Sequence, residues 1–153
     1  MNNSLAGLFV REATQDDLST IASFVQSSTT ESALYRGSPW TQPSESIRQV
    51  LTLVGGIGST VMGFLRAVRT DDSTWFVENV FVSEDCREVG IGDALMIDAV
   101  RRLTQMSATR IESSAMPGDR ATKNLFERHG LVAQTILVGK SLSDPSTVER
   151  ASQ

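Results

Sequence analysis

The stretch that decides the reading is Glu78-Asn79-Val80-Phe81-Val82-Ser83-Glu84-Asp85-Cys86-Arg87-Glu88-Val89-Gly90-Ile91-Gly92-Asp93-Ala94-Leu95-Met96. Trp75 to Val82 is dominated by apolar and β-favouring residues, as in a strand, and a turn with glycines at 90 and 92 follows. From about Gly90 to Met106 an amphipathic helix is expected, with Leu95, Ile97, Ala99, Val100 and Leu103 as its apolar positions. A helix that opens directly behind a strand and a glycine turn leaves its first N–H groups without intrahelical acceptors, and its dipole adds partial positive charge there. Such an end is a ready anion site.

The rest of the chain limits what that anion can belong to. At 153 residues, 40% apolar and 21% charged, the sequence reads as one soluble globular domain spanning 1–153, with a core over about 8–142 and a frayed polar tail over 143–153. A net charge of −4 without a Lys/Arg stripe argues against nucleic acid. No run of 18 apolar residues and no basic, apolar leader is present, so neither a membrane span nor a secretory signal is expected. One cysteine, Cys86, excludes an internal disulfide and fits a cytoplasmic location, and with a single histidine, His129, no metal centre is expected.

Working outward, Leu8 to Glu12 reads as a strand. Thr14 or Asp16 would cap a helix carrying Leu18, Ile21, Ala22 and Val25 to about Ser27. Ser28 to Ser46 reads as a loop with one helical turn around Glu31 to Tyr35. Tyr35 and Trp40 in that loop are candidate substrate-wall residues or equally plugs that pin it to the body. Ile47 to Val54 fits a helix or a strand; a strand from Val50 is preferred, because Gly55-Gly56-Ile57-Gly58-Ser59 looks like a hairpin turn into a strand over Thr60 to Arg69. Thr74 to Val82 then runs antiparallel to it, and Thr109 to Ala115, reached through the helix, should lie parallel to the strand ending at Val82. Asp119 caps a helix over Arg120 to His129, stopped at Gly130, and Leu131 to Leu142 reads as the last strand. The expected order is β-α-(short α)-β-β-β-α-β-α-β, a mixed α/β sheet without repeats.

The spacing Arg87-x-x-Gly90-x-Gly92, directly after the strand, resembles the pyrophosphate loop of the GNAT superfamily of N-acetyltransferases, and the order of elements agrees with that fold. The resemblance runs from about Phe9 to Leu142. It implies a central, mostly antiparallel sheet whose fourth and fifth strands are parallel and splay apart in a V, with acetyl-CoA in the gap. It also implies that the backbone of Val80, Phe81 and Val82 meets the pantetheine arm, and that the N–H groups of Arg87, Val89, Gly90, Ile91, Gly92 and Asp93 meet the pyrophosphate, with the Arg87 side chain as a cation. Asp93 stands where the family often has a basic or small residue, so its carboxylate must turn outward.

Acetylation of an amine requires a base to yield the neutral amine and a donor for the departing thiolate. The family often takes the base from the fourth strand, which points to Glu78 as base and to Asn79 as holder of a relaying water; Glu31 and Glu112 are weaker alternatives. Strand alternation would set Glu78 and Asn79 on opposite faces unless the strand is bulged there. The final helix resembles the segment that carries the family's usual tyrosine acid, but Phe126 stands at that position and has no proton to give. Phe126 then either lines the cofactor or packs in the core, and CoA thiols are acidic enough for turnover without a dedicated donor. Arg120 and Lys123 could reach CoA phosphates or be a solvated face.

The reading is an acetyl-CoA-dependent N-acetyltransferase that works by direct attack in a ternary complex on a small-molecule or peptide amine; a homodimer is left open. Its alternatives are a CoA-binding or sensory module that has lost catalysis, and a nucleotide loop at Gly56-Ile57-Gly58. The nucleotide loop lacks Gly-Lys-Ser/Thr and a helix to receive phosphate.

Overall fold

In a computed structural model that describes residues 7–35 and 49–143, five strands form one sheet in the order β1-β2-β3-β4-β5. They are β1 (Leu8–Glu12), β2 (Val50–Ile57), β3 (Thr60–Arg69), β4 (Thr74–Val82) and β5 (Arg110–Ser113), with helices α1 (Leu18–Ser32), α2 (Ile91–Gln105) and α3 (Arg120–Arg128). β1 to β4 pair antiparallel in sequence order, and β5 joins β4 in parallel after the α2 crossover.

The ambiguous segment before Gly55 is a strand. β2 runs through the glycines to Ile57 and turns at Gly58-Ser59 into β3, with Ile57 opposite Thr60. Gly56 sits at a register shift, where an added Cβ would lie 1.8 Å from the Thr60 carbonyl oxygen. The glycine therefore serves the hairpin, not a nucleotide.

α2 covers one side of the sheet: Leu95, Met96, Ala99 and Leu103 are buried with Leu53, Leu65, Trp75 and Val77. α1 covers the other, over the smaller cluster of Val54, Phe64 and Phe81. Its contact register differs from the expected one. Ile21 and Phe24 face the sheet, while Leu18 and Val25 are exposed, because the Phe24 ring fits between Phe64 and Phe81 at centroid distances of 6.3 and 5.5 Å. The helix also continues past Ser27 to Ser32, absorbing the expected separate turn; the Thr29 and Thr30 hydroxyls donate to the carbonyls of Val25 and Gln26 within it. α1 is moored at its start by Asp17, whose carboxylate accepts from both Arg11 guanidinium nitrogens at 2.7 and 3.0 Å and from the Thr14 N–H at 2.8 Å.

The last expected strand is not formed. Leu131 to Ser143 has no strand structure, and nearly all of it is exposed. Strand propensity alone does not make a strand, because the ladder hydrogen bonds come from a neighbour, and none among the described residues pairs with this segment. Asp119 caps α3 as expected, accepting from the Thr122 N–H at 3.1 Å. Among the described residues no helix is long and apolar enough to cross a membrane.

Candidate functional site

β4 and β5 pair only over Thr74–Val77 against Arg110–Ser113, after which β4 continues to Val82 without β5 beside it. At the fork the Ser113 hydroxyl donates to the Val77 carbonyl at 2.7 Å. Beyond it the β5-side edge of β4, through Val80, Phe81 and Val82, has no strand partner among the described residues, which matches the V-shaped opening that the resemblance implies.

A bulge lies at the same place. Ala67 is opposite Val77 and Arg66 is opposite Asn79, so Glu78 is the extra residue on β4. Trp75 and Val77 belong to the α2-side core, and Val80 and Val82 pack against that core as well. Phe81 belongs to the α1-side cluster. Glu78 and Asn79 therefore both project on the α1 side, the arrangement that simple alternation forbids. Arg66 shares that side through alternation from Phe64, and it forms an ion pair with the Glu78 carboxylate. Two signals for this were in the sequence: adjacent polar residues in an otherwise apolar strand, and a lone arginine between Leu65 and Ala67. Glu112 lies opposite Phe76 in the ladder, on the α1 side too.

Next to the fork α2 begins. Its cap Gly90 has φ 91°, a left-handed conformation that costs an L-residue strain, and the first helical backbone bond runs from the Ala94 N–H to the Gly90 carbonyl at 3.0 Å. The N–H groups of Val89, Gly90, Ile91, Gly92 and Asp93 have no acceptor among the described residues. That of Arg87 turns back to Glu84 at 3.5 Å. A Cβ at Gly92 would lie 3.7 Å from the side chains of Val82 and Leu125, so the helix start sits beside the end of β4.

Three charged side chains around this helix start are committed to protein partners. The Arg87 guanidinium donates to the Val82 carbonyl at 3.0 Å and to both Glu31 oxygens at 2.7 and 2.8 Å, and it lies 5.5 Å from the Phe81 ring centroid. It thus reaches to the α1 side, and Glu31 is engaged there rather than free. Asp93 has turned outward, accepting from Arg128 at 3.1 and 3.2 Å and meeting His129 Nε2 at 2.7 Å. Partial burial pushes the Asp93 carboxyl up, but these bonds outweigh it and leave the group below its ordinary value. A negative charge in the first turn, which would oppose a second anion, is in this way balanced from α3.

Of the remaining candidates, Tyr35 follows α1 and stands against the turn after β5, its ring 3.7 Å from the Cβ position of Gly118. Trp40 lies outside the described residues, as does 144–153. Phe126 is 6% exposed and belongs to the α2-side core. Arg120 and Lys123 are exposed, and Lys123 pairs with Glu127 at 3.4 Å.

The opening suits a long, flexible, anionic ligand: an unpaired strand edge for an amide-bearing arm, then free N–H groups at a helix start for phosphate. Comparisons with known proteins agree. The family model for the acetyltransferase (GNAT) family matches residues 14–131. A comparison with curated proteins finds no match. Among solved structures, the chain is similar to AAC(6')-Iy in complex with the bisubstrate analog CoA-S-monomethyl-acetylneamine, with TM-score 0.64, 15% identity and coverage of 91% of this chain and 100% of that one. It is similar to a ribosomal-protein-alanine N-acetyltransferase from Brucella melitensis biovar Abortus 2308, with TM-score 0.67, 15% identity and coverage of 89% and 99%. A transcriptional regulator from Bacillus halodurans C-125 is also similar, with TM-score 0.63, 16% identity and coverage of 88% and 99%. At these identities the likeness is one of fold.

Proposed function

Because the chain belongs to the GNAT family of acetyltransferases, we propose that it transfers an acetyl group from acetyl-CoA to a primary amine held with it in a ternary complex. The observation that carries this reading is the fork between β4 and β5 opening beside an α2 start with unpartnered N–H groups. Acetyl-CoA, when bound, supplies an activated thioester. The β4 edge at Val80, Phe81 and Val82 would hold its arm, and the N–H groups of Val89 to Asp93 its pyrophosphate, with Gly90 giving the left-handed entry. Arg87 serves as a cation there only on leaving Glu31.

The amine approaches from the α1 side of β4, where the bulge presents Glu78 and Asn79 together. Glu78 takes the ammonium proton, directly or through a water held by Asn79, and Arg66 orients its carboxylate. Tyr35, across the opening, forms an acceptor wall. Phe126 has no proton to donate and is packed in the core, so solvent protonates the departing thiolate. Fold neighbours named for aminoglycosides and for a ribosomal-protein alanine support an amine acceptor of small-molecule or peptide class.

A second reading, a CoA-binding or sensory module without turnover, is favoured by the buried Phe126 at the position of the usual acid, and a transcriptional regulator shares the fold. Thiol release from acetyl-CoA across a panel of amines separates the two. Release with at least one amine supports the transferase, and tight binding with no release from any acceptor supports the module.

A further inference from the structure

Arg87, the side-chain cation of the opening, is held by two groups from different parts of the fold. Its Nε donates to the Val82 carbonyl at 3.0 Å, and its Nη2 donates to both Glu31 oxygens at 2.7 and 2.8 Å. The Ser83 N–H donates to the Met62 carbonyl, so Val82, opposite Gly63, is at a non-hydrogen-bonded position of the β3–β4 ladder. The backbone groups of Val82 therefore turn away from β3, onto the edge of β4 that has no strand partner among the described residues. The guanidinium lies across the mouth of the fork, from that edge to the end of α1, with the Phe81 ring beneath it.

Without that guanidinium, Glu31 is a poorly placed carboxylate. It stands in the last turn of α1, where the helix dipole is negative and disfavours an anion, and the turn has no basic residue of its own. Among the described residues its ion-pair partner is Arg87. The pair is also readily exchanged, because its side chains are 41 and 38% exposed and water screens an ion pair this open. Phosphate oxygens suit the guanidinium fork as well as a carboxylate does, and a pyrophosphate brings more charge.

We propose that Glu31 and the pyrophosphate of acetyl-CoA compete for Arg87, and that the acceptor is an amine bearing a second cationic group, which replaces Arg87 on Glu31. The inference rests on the transferase reading and names its substrate class. Cofactor binding draws the guanidinium away and leaves Glu31 in need of a cation on the α1 side, the side from which the amine approaches Glu78. The coupling is reciprocal: an acceptor on Glu31 frees Arg87 and tightens the cofactor by the same factor.

Isothermal titration of CoA into the full chain and its variants reads the exchange directly. Glu31→Gln should tighten CoA about two- to fivefold, the range for an exposed ion pair, and should change nothing in an Arg87→Gln background, where no cation is left to release. Unchanged or weaker binding in Glu31→Gln, or the same tightening with and without Arg87, overturns the exchange and leaves the transferase reading standing. A wild-type chain that binds no CoA removes both. Turnover of amine pairs that differ only in a second ammonium checks the acceptor: the diamine should have the lower KM, and Glu31→Gln should erase the difference through KM, with kcat moving far less. Equal KM values in the wild type, or a preference that survives Glu31→Gln, overturn the proposal, and the wild-type comparison decides even where a variant fails to fold.

Discussion

The two sides of the sheet are built from the same strands and are covered very differently. Under α2, Leu53, Leu65, Leu95, Met96 and Leu103 are wholly withdrawn from water. Under α1 the buried cluster is Val54, Phe64 and Phe81, and no residue of α1 itself is buried. The deep side is where apolar area stabilises the fold. The shallow side is where polar groups, Glu78, Asn79, Arg66 and Glu112, can stand on strands without being entombed. The fork lies between the two regimes: its free edge has Val80 and Val82 against the deep core, while Glu78 and Asn79, the proposed reacting groups, face the shallow side. A transferase needs both, a rigid floor and a wet enough entrance.

The comparison is broken most severely if the shallow side turns out not to do chemistry. Glu78→Gln keeps shape and hydrogen bonding but removes the proton acceptor, and should lower kcat by about 10²–10⁴-fold. The loss of its exposed pair with Arg66 should cost less than about 1 kcal/mol of stability. Wild-type rates at every pH in the variant would remove Glu78 from the mechanism.

The next effect tests the deep side. Leu65→Ala should destabilise by about 2–5 kcal/mol in urea unfolding, whereas Phe24→Ala, half covered on α1, should cost on the order of 1–2 kcal/mol. Equal losses would mean that the two sides carry stability alike.

Ligand binding sharpens the picture at the boundary. Acetyl-CoA at a hundredfold excess over its Kd should stabilise the wild type by about 2.7 kcal/mol. Gly90→Val, which forces a branched residue to φ 91°, should abolish that gain in a thermal-shift assay while the apo protein still folds. A retained shift would place the cofactor elsewhere.

The smallest effect concerns how α1 stays in place with so little buried area. The bonds from Arg11 and then the Thr14 N–H hold the Asp17 carboxyl down at about 2, against an ordinary 3.8. A lowered value means that the stability it contributes is complete above about pH 4 and is lost as pH falls towards 2. Acid unfolding followed between those values should be shallower in Asp17→Asn than in wild type. Parallel curves would show that α1 is moored by something else.

Much of this was legible from the chain. The strand, turn and helix around Arg87-x-x-Gly90-x-Gly92 could be read because the change of period and the glycines are contiguous, and the antiparallel meander because its turn residues are local. What could not be read is what depends on distant partners. Arg87 meets Glu31 from 56 positions away, and Asp93 meets Arg128 from 35; no local pattern announces either. The register of α1 was misjudged because spacing alone does not say that one phenylalanine outweighs two aliphatics. The strand over 131–142 was sound as propensity and wrong as structure, since a ladder needs a second rail.

One extra residue in β4 has a meaning beyond its local geometry. Up to Val77 the odd positions of the strand face α2, and from Val80 onward the even ones do. β4 is thus two half-strands in opposite phase, spliced at Glu78. Deleting that single residue would restore one phase throughout while leaving Val80 and Val82 under α2 and Phe81 under α1; what it would take away is the second polar side chain on the α1 side. The extra residue is therefore neutral to the packing on both sides of the sheet, and its effect is to set Glu78 beside Asn79.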